Sequence, residues 1–213
     1  MPKILYLDKN IAVAVKPSGY LSEGGGEASF PDALAKEIDP NGKTSLLTVH
    51  RLDRETEGIM VYALNKQSAA ALSAQIQSDE WQKIYTAVLW GTPQKDSDRL
   101  CDLLYYDRTK NKSFVVKKER RGVKSAILDY KVLWTSKDKK RTAVEVALQT
   151  GRTHQIRVQF ASRGTALCGD RRYGAPAEAG SRMALFATRL SFKHPVTSEP
   201  LNFEFTPDLD QYR

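Results

Sequence analysis

HRLDRETEG, residues 50–58, runs directly into the apolar residues IMV at 59–61. The charged part holds six ionisable residues in eight positions, His50 to Glu57. A short apolar run predicts a buried strand, and such a strand fixes the backbone of the loop that precedes it. The pattern therefore predicts a charged cluster held at the mouth of a strand.

Asp53 is the central residue of this cluster because it lies between Arg51 and Arg54. A neighbouring guanidinium favours the ionised form of a carboxylate. An ionised carboxylate can act as a nucleophile or as a general base. Composition alone is equally compatible with a solvated turn that carries ion pairs, so at this point both interpretations stay open.

The flanking sequence predicts a strand-rich chain with a few helices. A hairpin is expected at residues 4–15, and helical spacing or capping signals predict helices over 29–38, with Pro31 in its first turn, and over 66–77. Thr153 is a candidate cap for a third helix over 154–163, ended by Gly164. Further strands are expected at 59–63, 81–90, 113–116, 126–134, 142–148, 183–192 and 202–205.

These elements predict an α+β fold with a mixed, largely antiparallel β-sheet core and flanking helices. The 213 residues contain no repeat or long linker, so we expect a single domain over 1–213. No apolar stretch approaches the ~20 residues of a membrane helix, and the N-terminus lacks the features of a signal peptide. Cys101 and Cys168 offer neither a disulfide framework nor closely spaced metal ligands, which favours a reducing, cytoplasmic setting.

Positive charge is concentrated downstream of residue 62. The net charge is +8, made up of −2 over residues 1–62 and +10 over the remainder. Charge of this kind attracts polyanions, although it does not identify which one. One run is almost free of acids, since only Glu119 interrupts the basic residues Arg108, Lys110, Lys112, Lys117, Lys118, Arg120, Arg121 and Lys124. We expect this run to face RNA, and a solvated β-hairpin is the alternative.

The segment HRLDRET at 50–56 resembles the signature of the RluA-type pseudouridine synthases. The resemblance extends over nearly the whole chain. Residues 4–19 are similar to the opening hairpin and Lys-Pro-x-Gly turn of the family, 83–91 to its Lys-x-Tyr-x-Ala-x-Val-x-Gly strand, and 150–158 to a third motif. Gly169-Asp170 and His194-Pro195 also recur at similar places.

The resemblance implies a pseudouridine synthase fold and an isomerase that needs neither cofactor nor metal. Enzymes of this family break the N-glycosidic bond of a uridine in RNA, turn the base and rejoin it through carbon 5. The family nucleophile maps onto Asp53, which would attack either the base or carbon 1 of the ribose. Neither route is excluded by the sequence.

Three further residues gain roles from the resemblance. Tyr85 maps onto an active-site tyrosine that can stack on the uracil, and its hydroxyl could assist proton removal from carbon 5. Arg157 maps onto a basic residue that pairs with the catalytic carboxylate, whereas its alternative is a phosphate contact or a surface charge. Leu185 maps onto an apolar residue that packs on the target base. Tyr85 and Leu185 are otherwise ordinary core residues.

A uridine stacked in RNA must be flipped out before it reaches a carboxylate, at a cost of a few kcal/mol. The resemblance implies that Arg51 fills the gap left behind. Arg152 and His154 are candidate phosphate ligands near a helix start, and Arg54 and Thr56 complete the predicted substrate-binding set. The expected partner is a stem-loop of ribosomal or transfer RNA, bound by a monomer without a small N-terminal RNA-binding domain.

The chain departs from the family pattern at Glu57, Gln159 and Phe186, which leaves the choice of substrate open. Two other functions compete with the isomerase. A non-catalytic RNA-binding protein of the same fold would be expected to lose Asp53, Tyr85 or Arg157, and all three are present. A glycoside hydrolase would need a second carboxylate, and no motif supplies one.

Overall fold

The computed structural model describes residues 2–26 and 28–213, whose contacts divide them into two compact units. Unit 1 comprises residues 2–26, 28–83 and 186–206, and unit 2 comprises residues 84–185 and 207–213. Asp53 belongs to unit 1, whereas Tyr85 and Arg157 belong to unit 2.

Unit 1 is a mixed sheet with two helices. Its hairpin joins β1 (Lys3–Leu7) to β2 (Ile11–Lys16), and β2 pairs antiparallel with β4 (Glu57–Ala63), so that Lys16 lies opposite Gly58. The short β3 (Leu47–Thr48) also pairs with β4. β10 (Leu185–Lys193) runs parallel to β4 and antiparallel to β11 (Pro200–Glu204). The start of β4 therefore lies between two neighbouring strands.

The two helices of unit 1 begin at side-chain caps. α1 (Phe30–Ile38) follows Ser29, whose hydroxyl oxygen accepts a hydrogen bond from the Asp32 N–H at 3.3 Å. α2 (Lys66–Gln77) follows Asn65, which accepts from the Ser68 N–H at 2.9 Å. Such caps satisfy N–H groups that have no partner inside the helix. The core of the unit contains buried residues of β2, β4, α2 and β10, among them Ile11, Val61, Leu72 and Phe192.

Unit 2 is an antiparallel sheet with one short helix. Its strand order is β5 (Gln82–Trp90), β9 (Arg141–Leu148), β8 (Val123–Thr135), β6 (Ser97–Asp107) and β7 (Lys112–Val116). Helix α3 (Gln155–Ala161) packs on this sheet, where Ile156 and Phe160 join a buried cluster with strand residues. A 3-10 turn, Arg171–Tyr173, follows α3. The helix carries Arg157, and the turn carries Arg171 and Arg172.

The predicted α+β fold with a mixed, largely antiparallel sheet is confirmed, and most predicted elements occur within a few residues of their expected limits. Two details were wrong. The third helix ends at Ala161, and its N-cap is His154 in the left-handed region at φ 54°, without a side-chain cap from Thr153. Strands β3 and β6 were not predicted. The prediction of a single domain over 1–213 stays a prediction.

Within the part of the chain that the structure describes, no helix combines the length and apolarity needed to cross a membrane.

Candidate active site

The loop that carries Asp53 is fixed through its backbone. The hydroxyl of Ser22 donates to the Leu52 carbonyl at 2.8 Å and accepts from the Leu52 N–H at 2.9 Å. On the other side of Asp53, the Arg54 carbonyl accepts from the Gly19 N–H at 2.8 Å. The hydroxyl of Ser18 donates to the Glu55 carbonyl at 2.8 Å. The partly exposed Asp53 is thus held from both sides along the chain.

Lys16 is the buried centre of this support. Its side chain is 0% exposed, and its ammonium donates to the carbonyls of Pro17, Tyr20 and Arg54 at 2.9, 2.9 and 3.1 Å. An ammonium has three N–H donors, so the three acceptors match it. Burial lowers the pKa of Lys16 to about 8, against the opposing attraction of nearby carboxylates, Asp53 foremost. At neutral pH the cation therefore ties the Asp53 loop to the end of β2.

Gly58 brings the loop close to β10. Its φ is +138°, and an added Cβ would lie 2.3 Å from the carbonyl oxygen of Ala187. Only glycine fits this approach, because a larger residue would collide with backbone. The family-like Gly after HRLDRETE thus has a packing function where β4 meets β10.

His50, the first residue of the charged segment, has a structural partner. Its Nε2 accepts a hydrogen bond from the Val61 N–H at 3.0 Å, and its ring lies edge-on to Trp81 with 5.2 Å between centroids. An accepting Nε2 requires the neutral ring. Burial, aided by the charge of Lys83, lowers the pKa of His50 to about 3.

The other predicted residues of unit 1 differ in exposure. Arg51 forms an exposed ion pair with Glu23 at 3.1 Å, with 72% of the arginine side chain accessible. Arg54 is exposed, and its Nε donates to the Gly19 carbonyl at 2.9 Å. Thr56 is 1% exposed, and its N–H donates to the Asp53 carbonyl at 3.0 Å, which closes the turn. Arg51 and Arg54 are therefore accessible to a ligand, whereas Thr56 is inside.

In unit 2, Tyr85 and Leu185 meet one hydrophobic cluster. Tyr85 lies on β5 opposite Val146 of β9 and is partly buried. It packs against a cluster that includes Leu185, which is 4% exposed, and Ile156 of α3. Both predicted residues are therefore held by a rigid core, and the partly exposed tyrosine ring is the more accessible of the two.

Arg157 is buried on α3 and makes a two-pronged ion pair. It is 4% exposed and Asp170 is 2% exposed. The Nε of Arg157 lies 2.6 Å from Oδ2 of Asp170, and Nη2 lies 2.9 Å from Oδ1. The ring of Tyr173 lies against the same guanidinium, with 5.1 Å from Cζ to the ring centroid. The charge of Arg157 is thus compensated inside the protein.

His154 and Arg152 lie just before α3. Nδ1 of His154 is 3.0 Å from the hydroxyl of Tyr173, which also accepts from the Ser113 N–H at 2.8 Å. Nε of Arg152 donates to the Ser125 carbonyl at 2.8 Å. Both side chains are anchored in the fold, and their predicted contacts with phosphate stay a prediction.

The basic run at 108–124 lies on β7 and the turns on either side of it, as well as on the start of β8. Seven of its eight cations, all but the partly buried Lys112, are exposed. The turn at 108–111 is attached to the 3-10 turn, because the Arg172 guanidinium donates to the Asn111 carbonyl at 2.8 Å and Lys112 donates to the Arg172 carbonyl at 2.7 Å. The run therefore forms a supported, solvent-facing cationic surface.

All three departures from the family pattern lie at paired or buried positions. Glu57 and Phe186 are register partners where β4 and β10 pair. Gln159 is 0% exposed, and its amide donates to Asp102 at 2.7 Å and, more weakly, to the Leu100 carbonyl at 3.3 Å. Among the described residues, no group of three or more His, Cys, Asp or Glu side chains is arranged to hold a metal ion.

Comparison with known proteins decides the family. The sequence model of the RNA pseudouridylate synthase family matches residues 10–162, which include Asp53, Tyr85 and Arg157. The chain belongs to this family. The predicted resemblance is thereby confirmed, and so, at the level of the family, are the isomerase class and RNA as the substrate class.

Relatives of this pseudouridine synthase chain are similar over most of its length. It is 35% identical to the dual-specificity RNA pseudouridine synthase RluA of Yersinia pestis, over 94% of this chain and 97% of the relative. It is 31% identical to an uncharacterised RNA pseudouridine synthase of Bacillus subtilis, YhcT, and spans 65% of the length of that relative.

The solved structures agree on the fold. Human RNA Pseudouridylate Synthase Domain Containing 4 superposes with a TM-score of 0.78 at 23% identity, covering 97% of this chain and 88% of the human one. Human RNA Pseudouridylate Synthase Domain Containing 1 gives 0.79 at 23% identity, with 98% and 84% covered. The predicted pseudouridine synthase fold is confirmed.

Lys16 and Asp170 were not predicted to be functional residues. Both lie in segments that resemble the family, Lys16 in the Lys-Pro-x-Gly turn and Asp170 in the Gly-Asp pair. A lysine next to an apolar strand and an aspartate after a glycine are unremarkable by themselves. The only available signal was that each occurs in a motif without an evident chemical role.

Proposed function

We propose that this chain converts specific uridines of ribosomal or transfer RNA to pseudouridine, with Asp53 as the nucleophile. The observation that carries the proposal is the clamped loop. Asp53 is partly exposed, yet the backbone on both sides of it is held by Ser22, Gly19 and Lys16. A nucleophile needs this combination of access and a fixed position.

The proposed chemistry begins with attack by the ionised carboxylate of Asp53 on the base or on carbon 1 of the ribose. The N-glycosidic bond breaks, the base turns, and a bond forms between carbon 1 and carbon 5. The covalent bond to Asp53 then breaks, the proton on carbon 5 leaves to solvent, and N1, which has lost its bond to carbon 1, takes up a proton, so that the product is an isomer of the substrate. Tyr85 is proposed to stack on the uracil, and Arg157 to orient and neutralise the catalytic carboxylate.

Access to a stacked uridine requires extrusion from the RNA. Arg51 is the proposed residue that fills the vacated space, and its exposed ion pair with Glu23 supports this role, because an exposed pair contributes little and exchanges readily. Arg54, Arg152 and His154 are proposed contacts to the RNA backbone, Thr56 supports the loop from inside, and Leu185 is proposed to pack on the base.

The cationic surface at 108–124 is the proposed main RNA contact. Some of its cations lie over aromatic rings: the ammonium of Lys110 is 5.8 Å from the ring of Phe114, and the guanidinium of Arg120 is 4.8 Å from the ring of Tyr105. Phosphate contacts supply most of the sequence-independent affinity for nucleic acid. Action as a monomer, without cofactor and in the cytoplasm, completes the proposal.

The direct test uses RNA from a strain that lacks the protein. Total RNA is incubated with the purified protein, and pseudouridines are mapped before and after. New pseudouridine at one or a few positions, absent with Asp53→Ala, supports the proposal and identifies the RNA class. No new site with the wild type, or equal conversion by Asp53→Ala, would overturn it.

The same experiment separates the isomerase from a non-catalytic RNA-binding protein. Binding without conversion, with the same affinity in wild type and Asp53→Ala, is the result expected of a binding protein. A glycosidase would need a second carboxylate that acts as a general acid, and no motif of the sequence supplies one.

A further inference from the structure

Two aromatic side chains lie side by side on the β6–β7 hairpin of unit 2. Tyr105 of β6 and Phe114 of β7 are register partners, and both are partly exposed. Directly opposed residues of antiparallel strands have their Cβ atoms within about 5.5 Å, so the two rings are neighbours. We propose that these two rings, the aromatic platform, bind unpaired bases of the substrate RNA by stacking. The inference rests on the proposed function, because that function makes RNA the substrate.

The aromatic platform lies on the outer face of the sheet. Leu104 and Val115 are the next pair of register partners, and they pack in one cluster with Val158 of α3. Successive side chains of a strand point to opposite faces, so Tyr105 and Phe114 lie on the face away from α3. The helix therefore leaves the two rings accessible to a ligand.

The turn before β8 fixes the position of the first ring. The Val123 N–H donates to the Arg120 carbonyl at 3.0 Å, which closes this turn. A Cβ added to Gly122 would lie 3.5 Å from Cε2 of Tyr105, so the backbone of the turn passes close beside the ring. The guanidinium of Arg120 lies 4.8 Å from the ring of Tyr105. The tyrosine is thus held in place with a cation beside it.

The second ring is bordered by two lysines. The ammonium groups of Lys110 and Lys112 each lie 5.8 Å from the ring centroid of Phe114. The turn that carries Lys110 is held by Asp107, whose carboxylate accepts from the Thr109 N–H at 2.9 Å and from the Lys110 N–H at 3.2 Å. Both rings of the aromatic platform therefore have positive charge next to them.

This combination fits single-stranded RNA better than a duplex. Sites for single strands join cations, which meet the phosphates, to aromatic rings, on which bases stack whatever their sequence. An arginine guanidinium offers a further plane for stacking. A duplex presents its phosphates but keeps its bases paired and stacked, so it gains nothing from the rings. An aromatic pair that only stabilises the hairpin is the alternative, since cross-strand pairs also contribute to sheet stability.

The test compares two RNAs by fluorescence anisotropy. Labelled oligocytidine offers unpaired bases but no target uridine, and a blunt duplex of similar length offers phosphates alone. Tyr105→Leu and Phe114→Leu keep apolar bulk and remove the aromatic face. We expect the Kd for oligocytidine to rise about 5- to 100-fold in each variant, the size of one stacking contact, and the Kd for the duplex to stay within about twofold.

The salt dependence separates stacking from charge. In the double leucine variant, the plot of log K for oligocytidine against log salt should shift down in parallel, because no phosphate contact is lost. Lys110→Ala should instead reduce the slope of this plot by about 0.7. No binding of oligocytidine by the wild type, an unchanged Kd in the leucine variants, or an equal loss for the duplex would each overturn the proposal.

Two conservative variants decide the matter if the leucine variants do not fold. Tyr105→Phe keeps the ring, so its Kd for oligocytidine should stay within about twofold of the wild type. Phe114→Trp adds an indole to the 3 tryptophans of the chain, and oligocytidine should quench the added fluorescence because a base stacks on it. Absence of this additional quenching would show that no base reaches the aromatic platform.

Trp134→Leu is the matched control. Trp134 is a partly exposed aromatic residue of β8, and the guanidinium of Arg213 lies 5.8 Å from its ring. The Kd for oligocytidine should not change in this variant, and a rise equal to that of Phe114→Leu would overturn the proposal.

Pseudouridine mapping with the wild type tests the proposed function separately. Conversion by a wild type that binds oligocytidine no better than the leucine variants do would overturn the aromatic platform alone. Binding of oligocytidine through the two rings without conversion of any RNA would overturn the proposed function alone.

Discussion

The two units hold their proposed catalytic groups in different ways. In unit 1, the hydrogen bonds made by Ser22, Gly19 and Lys16 on either side of Asp53 go to backbone atoms of the neighbouring residues, so they fix the chain that carries the carboxylate. In unit 2, the bonds around Arg157 are made to its side chain by Asp170. A short side chain needs only a fixed backbone, whereas a long, flexible one must be fixed near its end.

This difference has a consequence for substitution. Replacing Asp53 should leave its loop intact, because the bonds that Ser22, Gly19 and Lys16 make to the loop go to its backbone. Removing one partner of the Arg157–Asp170 pair leaves a buried charge without compensation.

Asp53→Asn should lower turnover by at least about a thousandfold, because an amide oxygen is a poor nucleophile. The free energy of unfolding should change by less than about 1 kcal/mol, since the loop is held by backbone contacts. Single-turnover formation of pseudouridine and urea unfolding measure the two quantities. A destabilised Asp53→Asn would show that the carboxylate also supports the loop.

Lys16→Met should cost about 3 kcal/mol of stability. The substitution removes the buried ammonium that donates to the carbonyls of Pro17, Tyr20 and Arg54, of which the Arg54 carbonyl keeps its bond from the Gly19 N–H, and each acceptor left without a donor costs about 1–3 kcal/mol. Urea unfolding gives the value. Lys36→Met, an exposed lysine on α1, is the control and should change stability by less than about 0.5 kcal/mol.

A loosened loop should also reduce activity in Lys16→Met, at conditions where the protein is folded. Unchanged stability in this variant would mean that the three carbonyls find water instead, and the buried ammonium would then have no supporting role.

The lowered pKa of His50 predicts that the free energy of unfolding depends on pH. Its pKa is about 3 in the folded protein and 6.5 ordinarily, so the unfolded chain binds the proton more tightly between these values. The contribution is complete above pH 6.5 and is lost as the pH falls towards 3. One unit below 6.5 the loss is about 1.4 kcal/mol.

Replacing His50 by Gln should flatten this part of the stability–pH curve, because glutamine does not titrate and can still accept from the Val61 N–H. Urea unfolding between pH 5 and pH 8 checks the slope in both proteins. An unchanged slope in His50→Gln would assign the effect to other groups.

Substitutions in the cationic surface should have the smallest effect on turnover when the salt concentration is held constant. Lys118→Ala with Arg121→Ala should lower the slope of log K for RNA against log salt by about 2, roughly one per lost phosphate contact. Turnover at saturating RNA should stay the same. Lys36→Ala removes a cation of unit 1 and should leave the slope unchanged. An equal reduction of the slope in this variant would show that the cationic surface has no special role in RNA binding.

Much of the fold was predictable because the signals are local. The α2 limits, Lys66–Gln77, follow from helical spacing of small and apolar residues, and the β1–β2 hairpin follows from two apolar runs around Asp8. β6 was missed because polar and apolar residues alternate irregularly over Ser97–Asp107, a strand held by its neighbours β7 and β8. The cap of α3 was misassigned because a Thr before the helix is an ordinary capping signal, whereas nothing in the local sequence marks the left-handed conformation of His154.

The candidate catalytic residues were named from sequence, because their motifs are contiguous and their spacing is recognisable. Their supports were not. Arg54 lies 38 positions from the ammonium that holds its carbonyl, and Asp170 lies 13 positions from Arg157. No local pattern marks such pairs.

The order of the amino acids is enough to name the family, the isomerase class of that family and the carboxylate that we propose to react. The tertiary structure decides that the charged side chain of Lys16 is buried and that Asp170 forms a buried ion pair with Arg157. The physical reason is that burying a charge is unfavourable unless partners meet it, and those partners are assembled only when distant segments pack together.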